Sequence, residues 1–156
     1  MEIERKFLVK EHPYRAVVRP VKIVQGYLNS DKQRTVRLRI SGDQAWITIK
    51  SITIGISRQE FEYAIPVNDG REMLALCEQP LMEKDRFVFE ENGLKWEVDE
   101  FRGGNEGLII AEIELSEPTT EIPIPSWVGE EVSHDARFFN SNLCKNPFSS
   151  WKPDSV

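Results

Sequence analysis

The chain has 156 residues, 40% of them hydrophobic, which suits one globular domain (1–156) with a core of its own. Its net charge of -6 excludes a chain that is basic overall and argues against a dedicated nucleic-acid binder, although a local basic pocket is compatible with that balance. Cys77 and Cys144 show no C-x-x-C or zinc spacing and are expected to be free thiols, no apolar run approaches membrane-spanning length, and the opening MEIERKFLV is charged from its second residue, so no signal peptide and a cytoplasmic location are expected.

Taken in order, the chain reads mostly as strands, because short stretches alternate in polarity with period two between turn residues. In the first, Glu2, Glu4 and Lys6 share one face while Ile3 and Phe7 take the other, with Arg5 breaking the alternation. After a proline-containing connection, 21–28 reads as a second strand. Residues 35–40 place Arg37 and Arg39 opposite Val36, Leu38 and Ile40, and Ser41-Gly42-Asp43 turns the chain into 45–50, where Trp46, Thr48 and Lys50 share a face. Beyond Gly55, Arg58, Glu60 and Glu62 alternate with Phe61 and Tyr63 until Pro66. Met73, Leu74 and Cys77 stand at helical spacing and predict a short helix over 70–79, stopped by Pro80. The strands 82–90 and 94–101 flank Glu91-Asn92-Gly93, the strongest hairpin signal, and carry Lys84 and Arg86 against Glu97 and Asp99. An eighth strand over 108–115 sets Glu112 and Glu114 between apolar neighbours, and from Pro123 onward the chain reads as short helices covering an opening or a flank. Trp46, Trp96, Phe61 and Tyr63 read as packing, and neither His12 nor His134 has a second metal-ligating residue at suitable spacing.

Eight strands joined largely by hairpins favour a closed antiparallel sheet, since closure removes exposed edges. Nearly every strand has one charged and one apolar face. By pattern alone this favours a β-sandwich with an apolar centre and solvated charged faces. The faces, however, hold almost no Ser, Gln or Asn and sort sign by strand, acids on the first, fifth, seventh and eighth and bases on the third, fourth and sixth. Turned inward, such faces need a wet bore and charged ligands, because an unpaired buried ion costs several kcal/mol. Arg and Lys would then grip phosphate oxygens, and clustered carboxylates would offer hard oxygen ligands to Mg²⁺ or Mn²⁺.

Glu2-Ile3-Glu4-Arg5-Lys6 resembles the E-x-E-x-K signature of the CYTH superfamily, the triphosphate tunnel metalloenzymes. Gln25-Gly26-Tyr27-Leu28, Val36-Arg37-Leu38-Arg39, Thr48-Ile49-Lys50, Arg58 to Tyr63, Glu83-Lys84-Asp85-Arg86 and Glu112-Ile113-Glu114 resemble its later motifs in family order. The resemblance implies a mainly β (α+β) fold: an eight-stranded closed barrel, or tunnel, with charged faces inward, a few short helices outside and a C-terminal helical segment at one end. It thereby reverses the preference drawn from pattern. The outer apolar faces would be covered by helices and, in a homodimer, by a second subunit. It also implies Glu2, Glu4, Glu112 and Glu114 as metal ligands, with Asp99, Glu60 and Glu62 as further acidic wall. Lys6, Arg37, Arg39, Lys50, Lys84, Arg86 and, on parity, Arg58 would hold the triphosphate, and Tyr27 would act with Lys84 near the attacking water. For the acids the alternative is a salt bridge that orients a neighbouring base. The expected activity is metal-dependent hydrolysis of tripolyphosphate or an organic triphosphate, with a small-molecule substrate and neither nucleic acid nor membrane as partner. An adenylate cyclase of the same superfamily and a non-catalytic nucleotide or polyphosphate binder are the alternatives.

Overall fold

The computed structural model describes residues 2–151. Ten strands form: β1 (Glu2–Val9), β2 (Val21–Asn29), β3 (Arg34–Ser41), β4 (Gln44–Ser51), β5 (Ser57–Arg58), β6 (Glu60–Ile65), β7 (Met82–Glu91), β8 (Leu94–Phe101), β9 (Ile109–Glu114) and β10 (Val128–Glu131). The helices are α1 (Val67–Met73) and α2 (Asn140–Lys145), with short 3-10 turns between elements. All eight expected strands are present. The fifth is broken at Gln59 into β5 and β6, and β10 is an addition within the segment read as helical.

Every ladder is antiparallel, and the sheet runs in the order β10-β1-β9-β8-β7-β2-β3-β4-β6. The ring closes through the broken strand. Its β5 half pairs with β1, Glu2 opposite Arg58 and Ile3 opposite Ser57, while its β6 half pairs with β4. Closure is therefore carried across Gln59 by the chain itself, not by a continuous ladder. Between β7 and β8 the turn residues Asn92 and Gly93 both have positive φ (56° and 75°), as the two-residue hairpin of the right twist demands.

The apolar residues occupy two places. The larger cluster lies on the outer surface of β1, β7, β8 and β9, where Phe7, Phe87, Trp96, Val98 and Ile113 pack beneath Tyr14 and Trp127 from the segments after β1 and before β10. Trp96 and Trp127 meet at 5.2 Å between ring centroids. The second cluster lies at one end of the bore. Inward-facing Met82, Phe101 and Ile110 meet Val132, Phe138 and Leu143 from the C-terminal segment, which stoppers that end. Helix α1 lies on β3 and β4 and starts at Val67, three residues before the expected helix, directly after Pro66. Its Gly70 is a packing requirement, since an added Cβ would stand 2.7 Å from that of Ala45.

Trp96 is fully buried, as the sequence suggests, but Phe61 (53% exposed) and Tyr63 (59%) are not packing residues within this chain. They point outward from β6, where nothing among the described residues covers them. Both cysteines are free, and among the described residues no helix is long and apolar enough to cross a membrane.

The plug supplies a direct test of this arrangement. Leu143 is completely buried among Phe138, Met82 and their neighbours, so Leu143→Ala is expected to lower unfolding free energy by about 2–5 kcal/mol. Urea denaturation measures it, and a loss well below that range would mean that the stopper does not contribute to the fold.

Candidate functional site

Strand period two decides which side chains enter the bore, and register decides which of them meet. The inward residues are Glu2, Glu4 and Lys6 of β1, Gln25 and Tyr27 of β2, Thr35, Arg37 and Arg39 of β3, Thr48 and Lys50 of β4, Glu60 and Glu62 of β6, Lys84 and Arg86 of β7, Glu97 and Asp99 of β8, and Glu112 and Glu114 of β9. Across the ladders Glu4 stands opposite Glu114, Lys6 opposite Glu112, Glu112 opposite Glu97, Tyr27 opposite Arg37, and Lys50 opposite Glu60. Arg58, on β5, faces Glu2.

Two connected chambers result, of about 610 and 650 Å³ with the solvent at their openings included. The one beside the C-terminal segment is lined by Glu2, Glu4, Lys6, Tyr27, Arg37, Lys50 and Arg58 together with Ser133, Phe139, Asn140 and Ser141. The other is almost purely ionic: every described residue lining it is an acid or a base except Asn140. Thirteen of the fifteen residues singled out from sequence line these chambers and the other two, Lys84 and Asp99, lie directly behind the wall; Glu97 and Asn140 line the ionic chamber with them, and Gln25 and Thr48 bond to its arginines.

The ion pairs divide the wall into knots. Glu2 receives Arg58 at 2.9 Å and Lys50 at 3.2 Å, and Lys50 also reaches Glu60 at 3.3 Å. Lys6 lies 3.5 Å from Glu112 and 3.7 Å from Glu4. Burial would lower the Lys6 ammonium, but Glu112 and Glu4 outweigh it and the group is raised. Arg37 reaches Glu62 at 3.4 Å, while Thr48 donates to the same carboxylate at 2.7 Å and accepts from Arg37 at 3.2 Å.

Behind the wall lies the tightest knot. Asp99 is 1% exposed and accepts from Arg86 Nε at 2.7 Å, Arg86 Nη2 at 2.8 Å and Lys84 Nζ at 2.7 Å. Burial alone would raise this carboxyl, but Arg86 and Lys84 hold it well below the usual carboxylate range. Burial pushes the Lys84 ammonium down to about 7 against the pull of Asp99. Two expectations are corrected here. Asp99 was expected among the acids facing a metal, yet both its oxygens are engaged by cations. Lys84 was expected beside Tyr27 at the ligand, yet it is wholly buried, stands opposite Ile23 and Phe101, and lines neither chamber. Tyr27 instead shares its chamber with Lys6, Lys50 and Arg58, and burial raises its phenol despite Arg37.

The charges left over are the informative ones. Arg39 has no carboxylate within 4 Å among the described residues, only Gln25 Oε1 at 3.3 Å, and burial together with Arg37 and Arg86 pushes its guanidinium down to about 9. Glu114 has no cation partner among the described residues, and burial followed by Glu2, Glu4 and Glu97 raises its carboxyl. Arg37 Nε is buried with no hydrogen-bond partner among the described residues. No three His, Cys, Asp or Glu side chains among the described residues form a ready metal cage.

Known proteins resemble this chain over most of its length. A model of the CYTH domain matches residues 1–139. The inorganic triphosphatase of Acetivibrio thermocellus is 47% identical over 152 residues, covering 97% of this chain and 97% of that protein. The inorganic triphosphatase of Nitrosomonas europaea is 38% identical over 146 residues, covering 91% and 95%. A solved inorganic triphosphatase structure superposes with a TM-score of 0.64 at 34% identity, covering 91% of this chain and 96% of that one.

Asp99→Asn tests the buried knot, because it leaves the Lys84 ammonium without its counter-charge. A loss of about 3–5 kcal/mol in unfolding free energy is expected. The folded carboxyl is depressed, so the stability it provides is present above the unfolded value of about 4 and fades as pH falls below it; the variant should lack that part of the acid dependence. Denaturant titrations from pH 7 to pH 3 read both, and a variant as stable as the parent would remove the knot from its structural role.

Proposed function

The chain belongs to the CYTH domain family, and from that premise we propose that it hydrolyses inorganic triphosphate with the help of a divalent cation inside its charged bore. The observation that carries this reading is the pair of unmatched clusters facing one chamber. On one wall Arg39, crowded by Arg37 and Arg86, lacks a carboxylate; on another Glu114, crowded by Glu2, Glu4 and Glu97, lacks a cation. A polyanion satisfies the first and a hard cation the second, and a metal-bound triphosphate brings both together.

Glu4 and Glu114, with Glu2 and Glu112, are the residues that would hold Mg²⁺ or Mn²⁺. Their carboxylate oxygens suit either ion. The lack of a preassembled cage among the described residues fits a metal that keeps water and phosphate oxygens in its shell and takes only one or two carboxylates from protein. When bound, that ion would neutralise phosphate charge and polarise the reacting phosphoryl group. Glu60 and Glu62 occupy Lys50 and Arg37 and hold those cations in place. Phosphate oxygens would be gripped by Arg37, Arg39, Arg58 and Arg86, with Lys6 and Lys50 as point charges. Tyr27, its phenol raised by burial, stays protonated at neutral pH and can donate to a phosphate oxygen. Lys84 acts through Asp99 on Arg86, fixing the guanidinium whose Nη1 also meets Glu97 at 2.9 Å. Phosphoryl transfer asks for this kind of help, namely position and charge neutralisation, more than for covalent chemistry. A cytoplasmic setting, with reduced cysteines, completes the reading.

Incubating the protein with Mg²⁺ or Mn²⁺ and either inorganic triphosphate, thiamine triphosphate or ATP tests it, with orthophosphate, pyrophosphate and cyclic nucleotide scored separately. Orthophosphate release from inorganic triphosphate, abolished by chelation, is expected. Glu4→Gln should lower kcat/KM by at least about 100-fold while leaving the melting temperature within about 3 °C. Cyclic nucleotide as the main product, or full turnover by the Glu4 variant, would refute the assignment.

A further inference from the structure

Asn140 stands apart from every other residue of the bore. Among the described residues it is the one uncharged member of the ionic chamber, and it lines the neighbouring chamber as well, so it sits where the two meet. It comes from the first turn of α2, whose Leu143 is locked into the apolar stopper, so the position of its backbone is fixed by the plug. Its Oδ1 is buried and has no hydrogen-bond partner among the described residues. A buried amide oxygen without a donor is unfavourable by about 1–3 kcal/mol, and such atoms in folded proteins call for an explanation.

The identity of the atom narrows that explanation. Oδ1 is an acceptor. A triphosphate offers only acceptors, and three of the cations that share a chamber with Asn140 are engaged, Lys6 with Glu112 and Glu4, Lys50 with Glu2 and Glu60, and Arg58 with Glu2. In a bore filled with that ligand the donor suited to Oδ1 is water. The complementary orphan is Arg37 Nε, a buried donor lining the same two chambers and suited to a phosphate oxygen. One wall thus offers an unmet donor to the anion and the stopper offers an unmet acceptor to a water beside it.

We propose that Asn140 is a catalytic residue whose amide oxygen accepts a hydrogen bond from the attacking water and turns its lone pair toward the nearest terminal phosphorus. This deepens the reading of the chain as a triphosphate hydrolase and rests on it. The water oxygen forms the new P–O bond, the bridging P–O bond breaks with its electron pair leaving on pyrophosphate, one water proton stays on orthophosphate and the other passes to the departing pyrophosphate. Attack comes from the stoppered end, so the leaving group points toward the open mouth.

Three proteins decide it: the parent, Asn140→Leu, which keeps the size and removes the acceptor, and Asn140→Asp, which keeps the acceptor and adds charge. Melting temperatures confirm that each is folded before steady-state assays with inorganic triphosphate and Mg²⁺. The expected result is a kcat lower by about 10–100-fold in the Leu variant with KM changed less than about threefold, since one lost hydrogen bond to a reacting atom is worth about one to two powers of ten. The Asp variant should hold kcat within about tenfold of the parent and raise KM, because its carboxylate repels the polyanion. An unchanged kcat in the Leu variant, an effect confined to KM, or equal kcat losses in both variants would overturn the role for Asn140 while parental turnover upheld the hydrolase. Should the Leu variant fail to fold, Asn140→Ser replaces it: a short hydroxyl that cannot span to the water must lose kcat at unchanged KM, and an unimpaired Ser variant overturns the role. An inactive parent would overturn both readings.

Discussion

A charge taken out of water must be matched, and that requirement governs this protein because its strands turn their ionic faces inward. Interior carboxylates and cations meet mostly across strands, Lys6 and Glu4 of β1 excepted, and register brings acid to base at 2.7–3.7 Å around most of the wall. Each such pair offsets the desolvation of its members without adding much net stability. The fold therefore draws its stability from elsewhere, and the ionic interior is best understood as a requirement of what the bore holds.

That division of labour explains where the apolar residues went. With the barrel centre given over to ions, the hydrophobic faces of β1, β7, β8 and β9 look outward and need cover, which Tyr14 and Trp127 supply from connecting segments. The second apolar cluster uses the inward positions of the same strands at one end only, where Met82, Phe101 and Ile110 replace ionic residues and receive Phe138 and Leu143. Lys84 lies at the boundary between the two regimes, beside Phe101 with its ammonium 5.4 Å from the ring centroid, which is why it is buried and why Asp99 has to meet it.

The alternation of charge and grease made the strands legible from sequence, down to which residues share a face. It left open which face is inside, because period two is the same for a sandwich and for a tunnel; the family resemblance, and not the pattern, pointed inward. Parity also cannot report depth. Lys84 and Arg86 share a face with equal claim to the ligand, yet Lys84 is pinned behind the wall by neighbours that come from β2 and β8. Val128–Glu131 gave no strand signal because it is four residues long and contains Gly129, whose added Cβ would fall 3.1 Å from the carbonyl oxygen of Leu8. Asn140 gave none either. A single amide in a polar C-terminal stretch has no period to obey, and only the folded plug shows that it enters the bore.

The asymmetry of the bore carries a consequence for how a ligand is received. One end is closed by apolar packing, while the other ends in Glu62, Glu97 and Glu114, with side chains still reached by solvent. A bare polyanion would be repelled by that acidic rim, whereas the proposed complex with a divalent cation would meet carboxylates there and the guanidiniums of Arg39, Arg37 and Arg86 in the same chamber. Complete neutralisation of the wall by its own ion pairs would have made the empty protein more stable and left nothing for the ligand to complete. The residues left unmatched, Arg39 among cations and Glu114 among acids, are in that sense the part of the wall that the proposed metal-bound triphosphate would complete.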